Sequence, residues 1–326
     1  MPRGIRRGHF PDKRLEASAV ADARLTFPLV PRRRVIALSF GLTRSLRRGP
    51  GSDVAGSKPY HPGDDMYAID WAASARLSTA RGTDEFIVRD RFAEEAPRVI
   101  IVCDRRPEMA GLGPGYPWLD KPAAMRGAVD LILASSGASG GYVGYLDFAD
   151  GDAHWRPPKG ERKLIELRDQ RLWSDEFGGP PDWLERSLAH LAEYPRAITP
   201  GTFVFLLSDF IPVPPRETWV SMRQRPWDVV PIVIQDPTWE QTFPDVSGIS
   251  VPLRDPRTGR LQPVRLTQEE ALEQRRRNEA RRRELVRMLE LVDLDAIFLS
   301  SSAREDVLSE FLLWSLLRRT GRPVRL

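Results

Sequence analysis

From residue 97 onward, short apolar runs alternate with segments whose apolar residues recur at helical spacing. Val99–Cys103 (V-I-I-V-C) reads as a buried strand. Lys121–Ser139 reads as a helix, with Met125, Val129, Ile132 and Leu133 along one stripe. Tyr142–Asp147 is a second strand. A turn at Ala149–Asp152 leads to a short third, Ala153–Arg156. Helices are predicted at Lys159–Leu172 and Pro181–Leu191. Thr202–Ser208 is a fourth strand, Pro215–Gln224 a helix, and Asp228–Gln235 a fifth strand in which Pro231 points to an edge or a bulge. Turn chemistry then dominates 236–265 around two short strands, Gly248–Leu253 and Leu261–Leu266, which reads as a β-hairpin insertion. A helix at Thr267–Leu291, a strand at Leu294–Ser300 and a helix at Ala303–Arg318 complete the pattern.

Such alternation predicts an α/β fold: a doubly wound, mainly parallel sheet covered on both faces, over 97–322. Ligands of such sheets bind beyond the carboxyl ends of the strands, where strand order reverses. The first and fourth strands both end in an aspartate, Asp104 and Asp209. These acids share one crevice if their strands are neighbours. Upstream, residues 1–22 read as a flexible basic lead. Strand-like pieces at Arg24–Leu29, Arg34–Phe40 and Glu85–Arg89, with a turn-rich stretch at 49–57, suggest a small β-rich module over 23–96.

Composition narrows the chemistry. The single cysteine, Cys103, excludes an internal disulfide and a Cys-rich zinc site, and its apolar run makes it a small buried residue. The histidines His9, His61, His154 and His190 are scattered and form no catalytic pattern. No apolar run approaches the roughly 20 residues of a membrane span, and the charged N-terminus lacks the core of a signal peptide, so a cytoplasmic protein is expected. Residues 1–60 carry 13 Lys and Arg against 4 Asp and Glu. The arginine run at 275–283 is matched by glutamates, with Glu273–Arg277 and Glu279–Arg283 at helical spacing, and reads as a salt-bridged solvent face. The Gly-rich pieces lack the Gly-Lys-Ser/Thr ending of a phosphate loop, and no nucleophile elbow is present.

The densest motif is Tyr60–Arg76, Y-H-P-G-D-D-M-Y-A-I-D-W-A-A-S-A-R. Its candidates are Tyr60, Gly63, Asp64, Asp65, Asp70, Trp71 and Arg76, read as a structural cluster in which carboxylates cap turns and pair with Arg76 or Lys58. The clustering also marks a face for a partner. This block resembles the signature of the bacterial domain of unknown function 58 family. The later pieces Ser208-Asp209-Phe210, Asp236-Pro237 with Glu240, and Asp255-Pro256 with Thr258-Gly259 extend the likeness over about 35–320. The resemblance implies a von Willebrand factor type A-like domain and a MoxR-type AAA+ ATPase as partner. It implies a non-enzymatic adaptor role in assembly, maturation or metal insertion of a client complex.

Metal-binding domains of that type carry Asp-x-Ser-x-Ser after the first strand. Here the stretch is D-R-R-P-E-M, with Arg106 and Glu108 where the serines would be. A guanidinium opposes Mg²⁺ by charge and can pair with Asp104 or Asp209 instead. The expectation is therefore a degenerate metal-ion-dependent adhesion site without a cofactor. The alternative is a divalent-metal-dependent ligand-binding or hydrolytic protein using Asp104, Glu108 and Asp209. A third reading is nucleic-acid binding through the basic residues of 1–48.

Overall fold

The computed structural model describes residues 25–32, 54–60, 66, 69–82, 85–91, 96–111, 119–159, 176–255 and 257–320. The chain divides into two compact units. One joins the residues up to Arg33 with those from Pro97 onward, and the other is Arg34–Ala96.

In the larger unit, β-branched and aromatic runs form the six-stranded central sheet. Its strands are β3 (Arg98–Cys103), β4 (Tyr142–Asp147), β5 (His154–Lys159), β6 (Phe203–Ser208), β7 (Asp228–Ile234) and β10 (Ile297–Leu299). β1 (Val54–Pro59) and β2 (Ile87–Arg91) belong to the other unit, and β8 (Ser250–Arg254) pairs with β9 (Leu261–Arg265) in a separate two-stranded antiparallel sheet. The order is β10-β7-β6-β3-β4-β5, parallel except for β5. The chain runs outward from β3 to β4 and β5, then returns to place β6 on the other side of β3. Strand order therefore reverses between β3 and β6.

Alternation along β3 and β6 sends neighbouring side chains to opposite layers. Val99, Ile101, Phe203 and Phe205 pack with α2 (Lys121–Ala138) and α6 (Arg304–Thr320). Ile100, Val102, Val204 and Leu206 pack with α3 (Trp183–Ala192), α4 (Arg216–Gln224) and α5 (Gln268–Leu291). Helix starts carry their own signals. Asp120 caps α2 through Ala123 N, with proline in its first turn, and Thr267 and Glu270 form a capping box on α5. No helix among the described residues is long and apolar enough to cross a membrane.

Several local expectations change. Residues 25–30 form no strand. Pro28 and Pro31 lack amide donors, and backbone groups of Phe27, Pro28, Val30 and Arg32 bind side chains rather than a neighbouring strand. Phe27 N donates to Ser135 Oγ, Ser315 Oγ to Pro28 O, and Arg318 Nη1 to Val30 O, while Arg32 N donates to Asp228 Oδ2. Phe27 itself is buried against Phe311 and Trp314. This strap is thus part of the α/β unit, not of a β-rich module. β7 is interior, yet β10 registers only with Ile232–Ile234, so Pro231 lies outside that pairing. Lys159 closes β5 instead of opening a helix, and the rest of the helix expected to Leu172 lies outside the described residues, as do Arg34–Phe40.

In the smaller unit, Val54–Pro59 forms strand β1 where turns were expected, antiparallel to β2. The unit also contains α1 (Trp71–Arg81), which the sequence pattern did not announce.

At the amino end of β7, Arg318 bonds Asp228 at 2.8 and 2.9 Å and Asp295 at 3.1 Å, and stacks over Trp314. Arg318→Met would leave the buried Asp228 carboxylate without its cation, with an expected cost of about 3–5 kcal/mol in urea unfolding. A loss below about 1 kcal/mol would show that the pair is solvent-screened.

Candidate functional site

The carboxyl ends of β3 and β6 lie side by side, with Cys103 opposite Leu207, and Asp104 N donates to Leu207 O. Asp104 and Asp209 follow directly, both almost fully buried. Between them lies the Arg106 guanidinium. Its Nε is 3.0 Å from both Asp104 carboxylate oxygens. Its Nη2 is 2.6 Å from Asp104 Oδ2 and 2.9 Å from Asp209 Oδ1. Its Nη1 donates to Ile211 O at 2.8 Å. The Arg106 amide and the Ser208 hydroxyl also donate to Asp104.

The chain after Asp209 is shaped to serve this contact. Phe210 has φ 51°, a left-handed conformation that costs a bulky residue about 1–2 kcal/mol. Its ring is held against Trp183 and Trp219, and its amide bonds Ser208 Oγ. With the chain so bent, Ile211 N reaches Asp209 Oδ1 while Ile211 O receives Arg106.

A second cation completes the cluster. Lys121, in the first turn of α2, donates to Asp209 Oδ2 at 2.9 Å, to Glu240 Oε1, and weakly to Glu108 O. Glu240 Oε2 in turn accepts from Asp236 N, and Asp236 caps the following turn through Thr238 N and Trp239 N. The Asp-Pro-x-x-Glu piece thereby ties the chain after β7 to the start of α2. Arg281 of α5 donates to Glu240 O. Beside this cluster, buried Arg105 stacks over Phe177 with its Nε 3.9 Å from Asp147, a carboxylate that accepts from the Tyr145 hydroxyl. Gly179 lies so close to Arg105 that a Cβ there would sit 2.9 Å from the Arg105 carbonyl.

Electrostatics follow from this packing. Burial opposes the charge of Asp209, but Lys121 and Arg106 outweigh it and hold the carboxyl below its usual range. Burial raises the Asp104 carboxyl against the pull of Arg106 and Ser208. Burial also raises Glu240, opposed by Lys121. For Arg106 and Lys121 burial works against charge, yet the surrounding carboxylates dominate and push both above their ordinary values. Cys103, desolvated in its strand, is pushed up to about 12, so its thiol is not a poised nucleophile.

Not every sequence candidate joins the cluster. The Glu108 carboxylate, partly buried, pairs with the exposed Arg257 at 3.2 Å and makes no hydrogen bond or ion pair with the Asp104–Arg106–Asp209 group. Among the described residues, no three of His, Cys, Asp and Glu converge so as to hold a metal ion. Lys121 and Glu240 are the additions. A lysine in a first helical turn opposes the helix dipole, a signal that it serves something else.

In the smaller unit, Asp70 is the N-cap of α1, accepting from Ala73 N, and its carbonyl receives Ser74 Oγ. Arg76 Nε donates back to Ala72 O, within its own helix. Trp71 is 64% exposed and meets Phe86 edge-on, while Tyr60 N bonds Phe86 O. Gly63, Asp64 and Asp65 lie outside the described residues.

Arg106→Met would strip the shared cation from two buried carboxylates. A loss of about 3–5 kcal/mol near neutral pH is expected. In the parent, the depressed Asp209 stabilises above the unfolded carboxylate range, and that contribution disappears as pH falls through its folded value. In the variant both carboxyls titrate higher, so the folded state takes up protons on acidification and the deficit narrows. Urea titrations at neutral and acid pH should show this convergence. A deficit that widens in acid would mean that Arg106 is not what neutralises the pair.

No curated protein matches the chain. Among solved structures it is similar to the conserved hypothetical protein BatB from Bacteroides thetaiotaomicron, with 16% identity over 68% of this chain and 99% of that one and a TM-score of 0.39. An aerotolerance-related membrane protein from Bacteroides fragilis is 18% identical over 66% and 98% of the two chains, with a TM-score of 0.40. The pilus adhesin SpaC from Lactobacillus rhamnosus GG is 13% identical over 72% of this chain and 32% of that one, with a TM-score of 0.42. The family model described as "Protein of unknown function DUF58" matches residues 56–285, more than half of the chain, and the protein belongs to that family.

Proposed function

We propose that this protein is a non-enzymatic adaptor of von Willebrand factor type A-like architecture, with a degenerate metal-ion-dependent adhesion site. It acts in the cytoplasm with a MoxR-type AAA+ ATPase in the assembly, maturation or metal insertion of a client complex. The ATPase supplies the energy, and this chain links it to the client.

One observation carries the adaptor reading. At the point where strand order reverses, the crevice is occupied by Arg106, bound to Asp104 and Asp209. The carboxylates that would draw a divalent cation already have a tethered one, and Lys121 supplies a second. Their hydrogen-bonding capacity is largely spent inside the protein. Ser208, the hydroxyl nearest the acids, is fully buried and donates to Asp104, so it is not presented to a substrate. The metal-dependent alternative loses support because the Glu108 carboxylate points to Arg257. Three of the seven arginines of α5 are engaged locally: Arg277 pairs with Glu273, Arg275 bonds Phe243 O, and Arg281 bonds Glu240 O. The ATPase partnership rests on the motif resemblance. Exposed Trp71 is its candidate contact, since tryptophan is enriched at interface hot spots.

Tagged full-length protein should retain a MoxR-type AAA+ ATPase encoded beside it, with the amount depending on ATP and Mg²⁺. Absence of association in every nucleotide state sinks the proposal. Trp71→Ala should weaken capture by roughly tenfold, or about 1.4 kcal/mol, while leaving thermal stability nearly unchanged. A large drop in melting temperature would instead assign Trp71 to folding.

A further inference from the structure

The outward face of α6 carries a stripe that is its own complement when reversed. Val307, Phe311, Trp314 and Ser315 face the core. On the opposite side, Leu312, Leu313 and Leu316 are 43%, 48% and 49% exposed. Single exposed leucines need no explanation, but three within five residues of one helix form a patch. One line of this face runs Glu305, Leu308, Leu312, Leu316, Arg319, at steps of three, four, four and three residues. Such spacing keeps all five close to one line on a helix. Leu308 is half-buried and also packs against the core, and the other four are exposed.

The line is symmetric about Leu312. An antiparallel copy centred there brings Leu312 onto its own equivalent and Leu308 onto Leu316. It also brings Glu305 onto Arg319, and each pairing occurs twice. That is the requirement for an isologous two-fold contact, in which one patch serves both partners. Glu305 and Arg319 have no ion-pair partner among the described residues. Antiparallel helices further set each acidic first turn beside the other copy's basic last turn, in the favourable sense for both helix dipoles.

We propose that a second copy of this chain docks on α6, forming an antiparallel helix pair with its two-fold axis at Leu312. The inference is independent of the adaptor reading. The stripe spans four helical turns. On its own it is smaller than the roughly 800 Å² per partner of a standard interface, so the dimer is weak and concentration-dependent. The terminal charge pairs fix antiparallel register more than they add affinity.

Sedimentation of the full-length protein over a concentration series tests this. A reversible monomer–dimer equilibrium is expected. Leu312→Glu places two acids on the axis and should raise the dissociation constant by roughly tenfold or more. Glu305→Arg and Arg319→Glu should each weaken association at low salt, and the double variant should restore it. That rescue is specific to this register. A protein that stays monomeric up to its solubility limit overturns the proposal, as does a dimer indifferent to Leu312→Glu. Charge variants whose effects add without rescue overturn it too. If Leu312→Glu lowers the melting temperature at dilutions where the parent is monomeric, the face belongs to the chain's own fold and the proposal fails.

Discussion

A guanidinium held between two buried carboxylates organises one end of the sheet. Asp104 and Asp209 are consequences of where β3 and β6 stop, and both lie out of water. In such surroundings an unpaired charge costs several kcal/mol, so the cation must be present and well aimed. Arg106 meets this condition from only two residues beyond Asp104, closing a tight turn through its own amide. The left-handed Phe210, the Ile211 contacts and the position of Lys121 all serve the same balance of charge. Through Lys121 and Glu240 that balance also fixes the chain leaving β7 and the start of α2.

The opposite end of the sheet uses related means. Arg318 on α6 and Arg32 on the strap meet Asp228, Asp293 and Asp295 near the amino ends of β7 and β10. Here the cations join elements far apart in the chain, and the strap's irregular backbone depends on side chains for its hydrogen bonds. Replacing a strand's ladder by Ser135, Ser315, Arg318 and Asp228 keeps those buried groups satisfied without a neighbouring strand.

The central strands were legible because the apolar runs are long, rich in β-branched residues and bounded by turns. Once those strands are parallel, the aspartates after β3 and β6 stand at the reversal point as a matter of topology. Helix α1 was obscured because it has almost no amphipathic stripe: Ser74 is its only buried residue, and Trp71 faces solvent at its start. Its visible signal was Asp70 as an N-cap. The strap was misread because a short apolar segment with prolines looks like an edge strand until its partners are known. Where the Glu108 carboxylate goes was not legible, because adjacency in sequence to Asp104 says nothing about side-chain direction after a turn; it follows the 3₁₀ turn Pro107–Met109 and bonds Arg257.

Sequence alone determined the alternation of strands and helices, the burial of Cys103, and the presence of a guanidinium two residues after Asp104. These follow from periodicity and residue chemistry, which act over a few neighbouring positions. Only the tertiary structure decided that Arg106 spans both aspartates and that Lys121 and Glu240, 119 residues apart, complete the cluster. It also decided that residues 25–32 belong to the α/β core. Those outcomes depend on which strands become neighbours and on the need to neutralise charge removed from water, and neither is written in any local stretch of the chain.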